Sequence, residues 1–175
     1  MNNPRNLSLP GRTKPYVMAH RGNRALMPEN TLPAFQRALD DGADILETDL
    51  HLSADGVLVC IHDATLDRTT DGSGPVAAKT LAQIKQLNAA KGWSALAPMQ
   101  VPTLAELAAI LPADRALALE LKTDRFLEAP VCRQLAAALE QYGIRQRCVV
   151  LSFSLARIQA VKAAAADIPI GLITA

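Results

Sequence analysis

From residue 16 onward, short β-type runs alternate with segments of helical periodicity. The pattern predicts six strands, at residues 16–20, 44–52, 57–62, 116–122, 148–153 and 168–173. The first predicted helix covers residues 31–40, capped by Asn30 or Thr31, with an apolar stripe of Leu32, Phe35 and Leu39. Thr80 with Gln83, and Thr103 with Glu106, carry the spacing of capping boxes. An alanine-rich helix opens near Pro130 and stops at Gly143, and another begins near Ser154. The run Ala163 to Ala166 reads as helix, not linker. Alternating βα units imply an α/β fold with a parallel sheet and helices outside.

Side chains on a strand alternate between two faces. In the second strand Glu47, Asp49 and His51 share one face, and Leu46, Thr48, Leu50 and Leu52 share the other. In the fourth, Ala116, Ala118, Glu120 and Lys122 stand opposite Leu117, Leu119 and Leu121. The leucines pack under the outer helices, so the small and charged residues face the axis. The same parity places His20 with Met18, His62 with Cys60, and Ser152 with Val150. These polar residues fall near the C-terminal ends of strands, where βα barrels carry their active sites.

Carboxylates pointing into a core are costly alone and repel one another together. A bound cation removes both difficulties, and hard oxygen ligands favour magnesium or calcium over zinc. A lone Glu47 or Asp49 would read as a surface ion pair, and a lone His20 as a structural histidine. Convergence of several such residues on one face favours a metal site with catalytic histidines. Lys122 pairs with Glu120 or faces solvent, Ser152 is a polar residue at the core edge, and His51 is structural or lies at a substrate rim.

The chain has 175 residues, half of them hydrophobic, which suits one domain with a sizeable core. Its net charge is +1, aromatics make up 3%, and there is no basic stripe, which excludes an ordinary nucleic-acid binder. Cys60, Cys132 and Cys148 form no CxxC pair. They read as small buried apolar residues in a reducing compartment, so a cytoplasmic location is expected. Residues 1–14 read as a flexible leader without a signal-peptide stretch, and no apolar run is long enough to span a bilayer.

The strings AHRGN, PENT, GADILETDLHLSADGVLVCIHD, LDRTTDGSG and LELK follow one another in this order. Together they resemble the glycerophosphodiester phosphodiesterase family, a specific match because several motifs keep a fixed order. The resemblance implies a TIM-type (β/α) barrel that hydrolyses glycerophosphodiesters to glycerol 3-phosphate and an alcohol. It implies Glu47, Asp49 and Glu120 as ligands of a divalent cation, Mg2+ or Ca2+. It makes His20 and His62 the acid–base pair, and Arg21 and Lys122 the phosphate contacts. Asn30 is then assigned to helix capping, Glu29 to a supporting or glycerol-side contact, and Asp63 to orienting the turn.

The family domain is expected over residues 15–175, with an insertion at 63–115 after the third strand. A complete barrel has eight βα units in about 250 residues. About six are expected here, an incomplete barrel truncated at its C-terminal side. Exposed strand edges would allow a homo-oligomer. The alternatives are an inactive fragment or pseudo-enzyme that keeps the metal site, and a phosphoinositide-type phospholipase C on the same barrel.

Overall fold

Residues 7, 9, 11 and 14–174 are described by the computed structural model, so most of the expected leader lies outside the described residues. Strands β1 (Met18–His20), β2 (Ile45–Leu52), β4 (Ala116–Leu121), β5 (Cys148–Ser152) and β6 (Ile170–Leu172) form one parallel sheet in the order β1-β2-β4-β5-β6. Helices α1 (Leu32–Asp40), α3 (Leu104–Ile110), α4 (Ala129–Gln141) and α5 (Leu155–Ala164) accompany them, with a one-turn α2 (Leu81–Ile84) between β2 and α3. This is part of a TIM-type (β/α) barrel, open between β1 and β6 among the described residues. Both expected capping boxes are present, and Thr31 and Ser154 cap α1 and α5. The helix expected through Ala166 ends at Ala164, where Ala165 leaves the helical region with φ −149° and ψ 81°.

The third strand differs in direction. β3 (Leu58–Cys60) runs antiparallel to β2. Only a tight turn separates the two, and a parallel return needs a crossover of a dozen or more residues. The parallel set therefore has five members, and β3 is a hairpin partner that carries the chain back down the edge of β2.

The alternation holds on both central strands. Leu46, Leu50, Leu52, Leu117, Leu119 and Leu121 are buried with Phe35, Phe126, Leu104, Leu107, Leu135 and Leu139 between sheet and helices. On the axis side Ile45, Ala116 and Ala118 form a small layer against Leu9, which is buried. Residues 63–103 build a second core together with β3 and the residue after it: Val59, Ile61, Leu66, Val76, Ile84, Ala89 and Val101 cluster together. The insertion is a packed unit and not a bare surface excursion.

Gly22 fixes how α1 seats against the first loop. A Cβ there would lie 2.6 Å from the Ala34 carbonyl carbon, and its φ of +76° is left-handed. Only glycine meets both conditions without strain. Asn23 N–H then donates to Ala34 O at 2.9 Å, which closes the contact.

Candidate active site

β2 and β4 place the carboxylates by register. Asp49 pairs directly with Glu120, while Glu47 pairs with Ala118 on one side and His20 on the other. Ala118 leaves room on the axis beside Glu47. Ligand atoms of Glu47, Asp49 and Glu120 lie within 4.8 Å of one another, and all three residues are buried. Like charges in such register repel. Burial, the nearby Asp49 and then Glu120 push the Glu47 carboxyl up to about 8, although the Arg21 backbone N–H and side chain oppose the rise.

Two cations face the cluster. Lys122 Nζ donates to Glu120 Oε1 at 2.7 Å and lies 3.3 Å from Asp49 Oδ1. Arg21 Nε lies 3.2 Å from Asp49 Oδ2. Both contacts to Asp49 are misaligned, so Asp49 Oδ1 and Arg21 Nε, each buried, have no hydrogen-bond partner. With all three carboxylates ionised, two cations do not neutralise them, and a buried acceptor is left open. These residues fit a divalent cation held by oxygen ligands.

The histidines approach along the same edge of β2 from opposite ends. Arg21 N–H donates to Glu47 O at 3.0 Å, and Ile61 N–H donates to Asp49 O at 3.0 Å. His20 ends β1, with its side chain 49% exposed and Nε2 3.8 Å from Glu47 Oε2. Burial, then Arg21 and Arg24, hold its pKa below the ordinary histidine value. His62 lies past the end of β3, so strand parity does not set its direction. The antiparallel return is what brings it back to the level of Asp49.

Several supporting contacts are long-range. Asn30 does not cap α1. Its Nδ2 donates to Asp49 Oδ2 at 2.9 Å and its Oδ1 accepts from Thr48 Oγ1 at 2.8 Å. Arg21 and Asn30 both have left-handed φ, +60° and +55°, and Asn30 N–H donates to Arg21 O. Strained non-glycine backbone of this kind concentrates at functional sites. His51 is structural: its Nε2 lies 3.1 Å from His62 O. A carbonyl only accepts, so Nε2 carries the hydrogen. His62 Nδ1 lies 2.7 Å from Asp63 Oδ1, which by the same logic puts the hydrogen on Nδ1 and leaves Nε2 without one. Ser152 Oγ donates to Leu121 O and is wholly buried, a role in the sheet end. Pattern reading assigned no part to Arg68, which bonds both Asp63 and Glu29.

The three cysteines are buried free thiols, and burial pushes Cys60 and Cys148 up to about 12. They carry no chemistry at neutral pH. A cavity of about 600 Å³ is lined by residues such as Leu87, Met99 and Pro102 and touches none of Glu47, Asp49 and Glu120. Among the described residues, no helix is long and apolar enough to cross a membrane.

Residues 20–175 match the model of the glycerophosphoryl diester phosphodiesterase family. A glycerophosphodiester phosphodiesterase of Caldanaerobacter subterraneus subsp. tengcongensis is 39% identical over 162 residues, covering 91% of this chain and 67% of that protein. A probable glycerophosphodiester phosphodiesterase 1 of Mycobacterium tuberculosis is 37% identical over 171 residues, covering 89% and 62%. Among solved structures, an Oleispira antarctica phosphodiesterase in complex with the product sn-glycerol-3-phosphate superposes with a TM-score of 0.81 at 34% identity, covering 92% of this chain and 67% of that one. A glycerophosphodiester phosphodiesterase of Agrobacterium tumefaciens gives 0.81 at 33% identity, covering 89% and 65%. The chain thus spans between 62% and 67% of the length of these relatives. The match over nearly the whole described sheet, with the site motifs inside it, means that the chain belongs to the glycerophosphoryl diester phosphodiesterase family.

Proposed function

We propose that this protein is a phosphoric diester hydrolase that cleaves glycerophosphodiesters to sn-glycerol 3-phosphate and an alcohol, using a divalent cation. The observation that carries the reading is the buried triad of Glu47, Asp49 and Glu120, with His20 in register with Glu47 and His62 following Ile61, which bonds Asp49. The bound product in the Oleispira antarctica relative supports the choice of a glycerol phosphate.

In this reading Glu47, Asp49 and Glu120 hold Mg2+ or Ca2+. The cation supplies charge neutralisation at the phosphoryl oxygens. Arg21 and Lys122 bind the phosphate from the side of Asp49, where their side chains already lie. His20 and His62 divide the proton transfers, one accepting from the attacking hydroxyl and the other donating to the departing alcohol. Asp63, held ionised well below the usual carboxylate range chiefly by its hydrogen bond from Arg68, keeps His62 in the tautomer with Nε2 free. Residues 15–175 belong to one catalytic domain, and the insertion at 63–115 brings Arg68 to the site. The buried free thiols support a cytoplasmic setting.

The test is release of sn-glycerol 3-phosphate from glycerophosphocholine or glycerophosphoethanolamine by the full protein. Release that a chelator abolishes and added magnesium or calcium restores is expected. Folded protein that releases none with any divalent metal would overturn the reading in favour of an inactive form.

A further inference from the structure

No residue of the string LDRTTDGSG touches the reacting groups in the reading above, yet its arginine occupies a central position. The Arg68 guanidinium makes four hydrogen bonds to two carboxylates. Nε donates to Asp63 Oδ2 at 2.7 Å and Nη2 to Asp63 Oδ1 at 3.1 Å. Nη1 donates to Glu29 Oε2 at 3.0 Å and Nη2 to Glu29 Oε1 at 2.8 Å. Each carboxylate is gripped through both oxygens, the geometry that only a planar fork provides.

Both arms lead to the site. Asp63 holds His62 Nδ1, and Glu29 Oε1 accepts from Arg21 Nη1 at 3.1 Å. Arg21 in turn lies against Asp49. One path of contacts therefore joins His62 to the metal cluster through two loops, one after β1 and one after β3. Arg68 bridges the gap between them. Its own backbone is fixed from beneath: Thr70, fully buried, donates to Leu66 O at 2.7 Å and accepts from Gly72 N–H at 3.0 Å.

Fixing His62 from outside is needed because regular structure does not do it. β3 ends at Cys60, so no ladder bond orients the imidazole. The His51 contact holds the His62 carbonyl and not the ring. A catalytic group misplaced by about 1 Å loses on the order of a hundredfold in rate. We propose that Arg68 is a positioning residue that clamps Glu29 to Asp63 and thereby aims the His62 ring at the metal cluster.

The proposal rests on the hydrolase reading for its kinetic test, and has a second readout that does not. In the full protein, Arg68→Gln lowers kcat roughly 10- to 100-fold with KM changed less than about threefold. Arg68→Lys recovers little, because an ammonium cannot grip both carboxylates at once. In a His62→Ala background the same Arg68→Gln change costs less than about threefold, since its effect passes through His62. A rise in KM at constant kcat would overturn the idea by marking Arg68 as a substrate contact. Equal losses with and without His62 would overturn it by marking a general structural role.

Nitrogen NMR of the His62 ring reads the same clamp without turnover. The native protein shows the Nδ1–H tautomer, and Arg68→Gln shows a mixture of the two. An unchanged tautomer overturns the proposal even if the protein hydrolyses no diester. If Arg68→Gln does not fold, Asp63→Asn tests the same arm: lost kcat with a mixed tautomer supports the clamp, and native values of both refute it.

Discussion

Glu47, Asp49 and Glu120 rise from β2 and β4, the most heavily paired strands of the sheet, and every residue of both strands is buried. His20 and His62 come from elsewhere. One ends the edge strand β1, half exposed, and the other sits in a loop past β3. The first group is positioned by register and leucine packing, which cannot slip by one residue without turning the acids into the hydrophobic layer. The second is positioned by side chains reaching across loops: Asp63, Arg68, Glu29 and the left-handed pair Arg21 and Asn30. The half that holds charge is built into the scaffold. The half proposed to move protons is tied on by a polar network.

This division predicts separable losses. Asp49→Asn or Glu120→Gln removes a proposed cation ligand, and turnover is expected to fall by roughly 10³–10⁴-fold, the equivalent of the several kcal/mol a cation contributes. Calorimetry on the same variants shows cation binding lost. Near-normal turnover in either would break the comparison at its stronger half. His20→Ala and His62→Ala lower kcat by roughly 10²–10⁴-fold, while cation affinity stays within about threefold of native. A histidine variant that also lost the cation would show that the two halves are not distinct.

Asn30 links them, and its effect is smaller. Asn30→Ala strips a hydrogen bond from Asp49 and leaves the buried Thr48 hydroxyl without its acceptor. A stability loss of about 1–3 kcal/mol is expected by denaturant melts, with cation affinity down roughly 10- to 100-fold. Unchanged affinity would mean that Asn30 serves the fold alone.

The subtlest test is pH. With Glu47 raised to about 8 from an ordinary 4.5, the folded protein without metal binds the extra proton that the unfolded chain releases. Its stability is therefore greatest below about 4.5 and declines as pH rises through about 8, other groups being equal. Melting temperature in chelator should fall by roughly 5–10 °C across that window. Glu47→Gln, which carries no charge, should flatten the slope. A melting temperature that instead rises with pH over the same window would contradict the repulsion within the cluster.

Much of the scaffold half was legible in the chain. Period-two alternation of leucine with alanine or acid on two strands dictates which face carries Glu47, Asp49 and Glu120, and the structure places those atoms together. The direction of β3 was also open to inference, since residues 53–56 are too short for a crossover. The loop half was not legible in the same way. Asn30 contacts Asp49, nineteen residues on, only because its φ is +55°. Arg68 meets Glu29 across thirty-nine residues, and no local pattern announces such a pair. Helix capping was a fair reading of Asn30 because Asn favours caps, but Thr31 beside it takes that role.

The most direct test of the account is a crystal of the full protein soaked in manganese, a hard cation with a strong anomalous signal. The account predicts one peak at about 2.0–2.6 Å from carboxylate oxygens of Glu47, Asp49 and Glu120, the range of hard-cation oxygen bonds. A peak elsewhere, or none at these three residues in a protein that hydrolyses its diester, would contradict it.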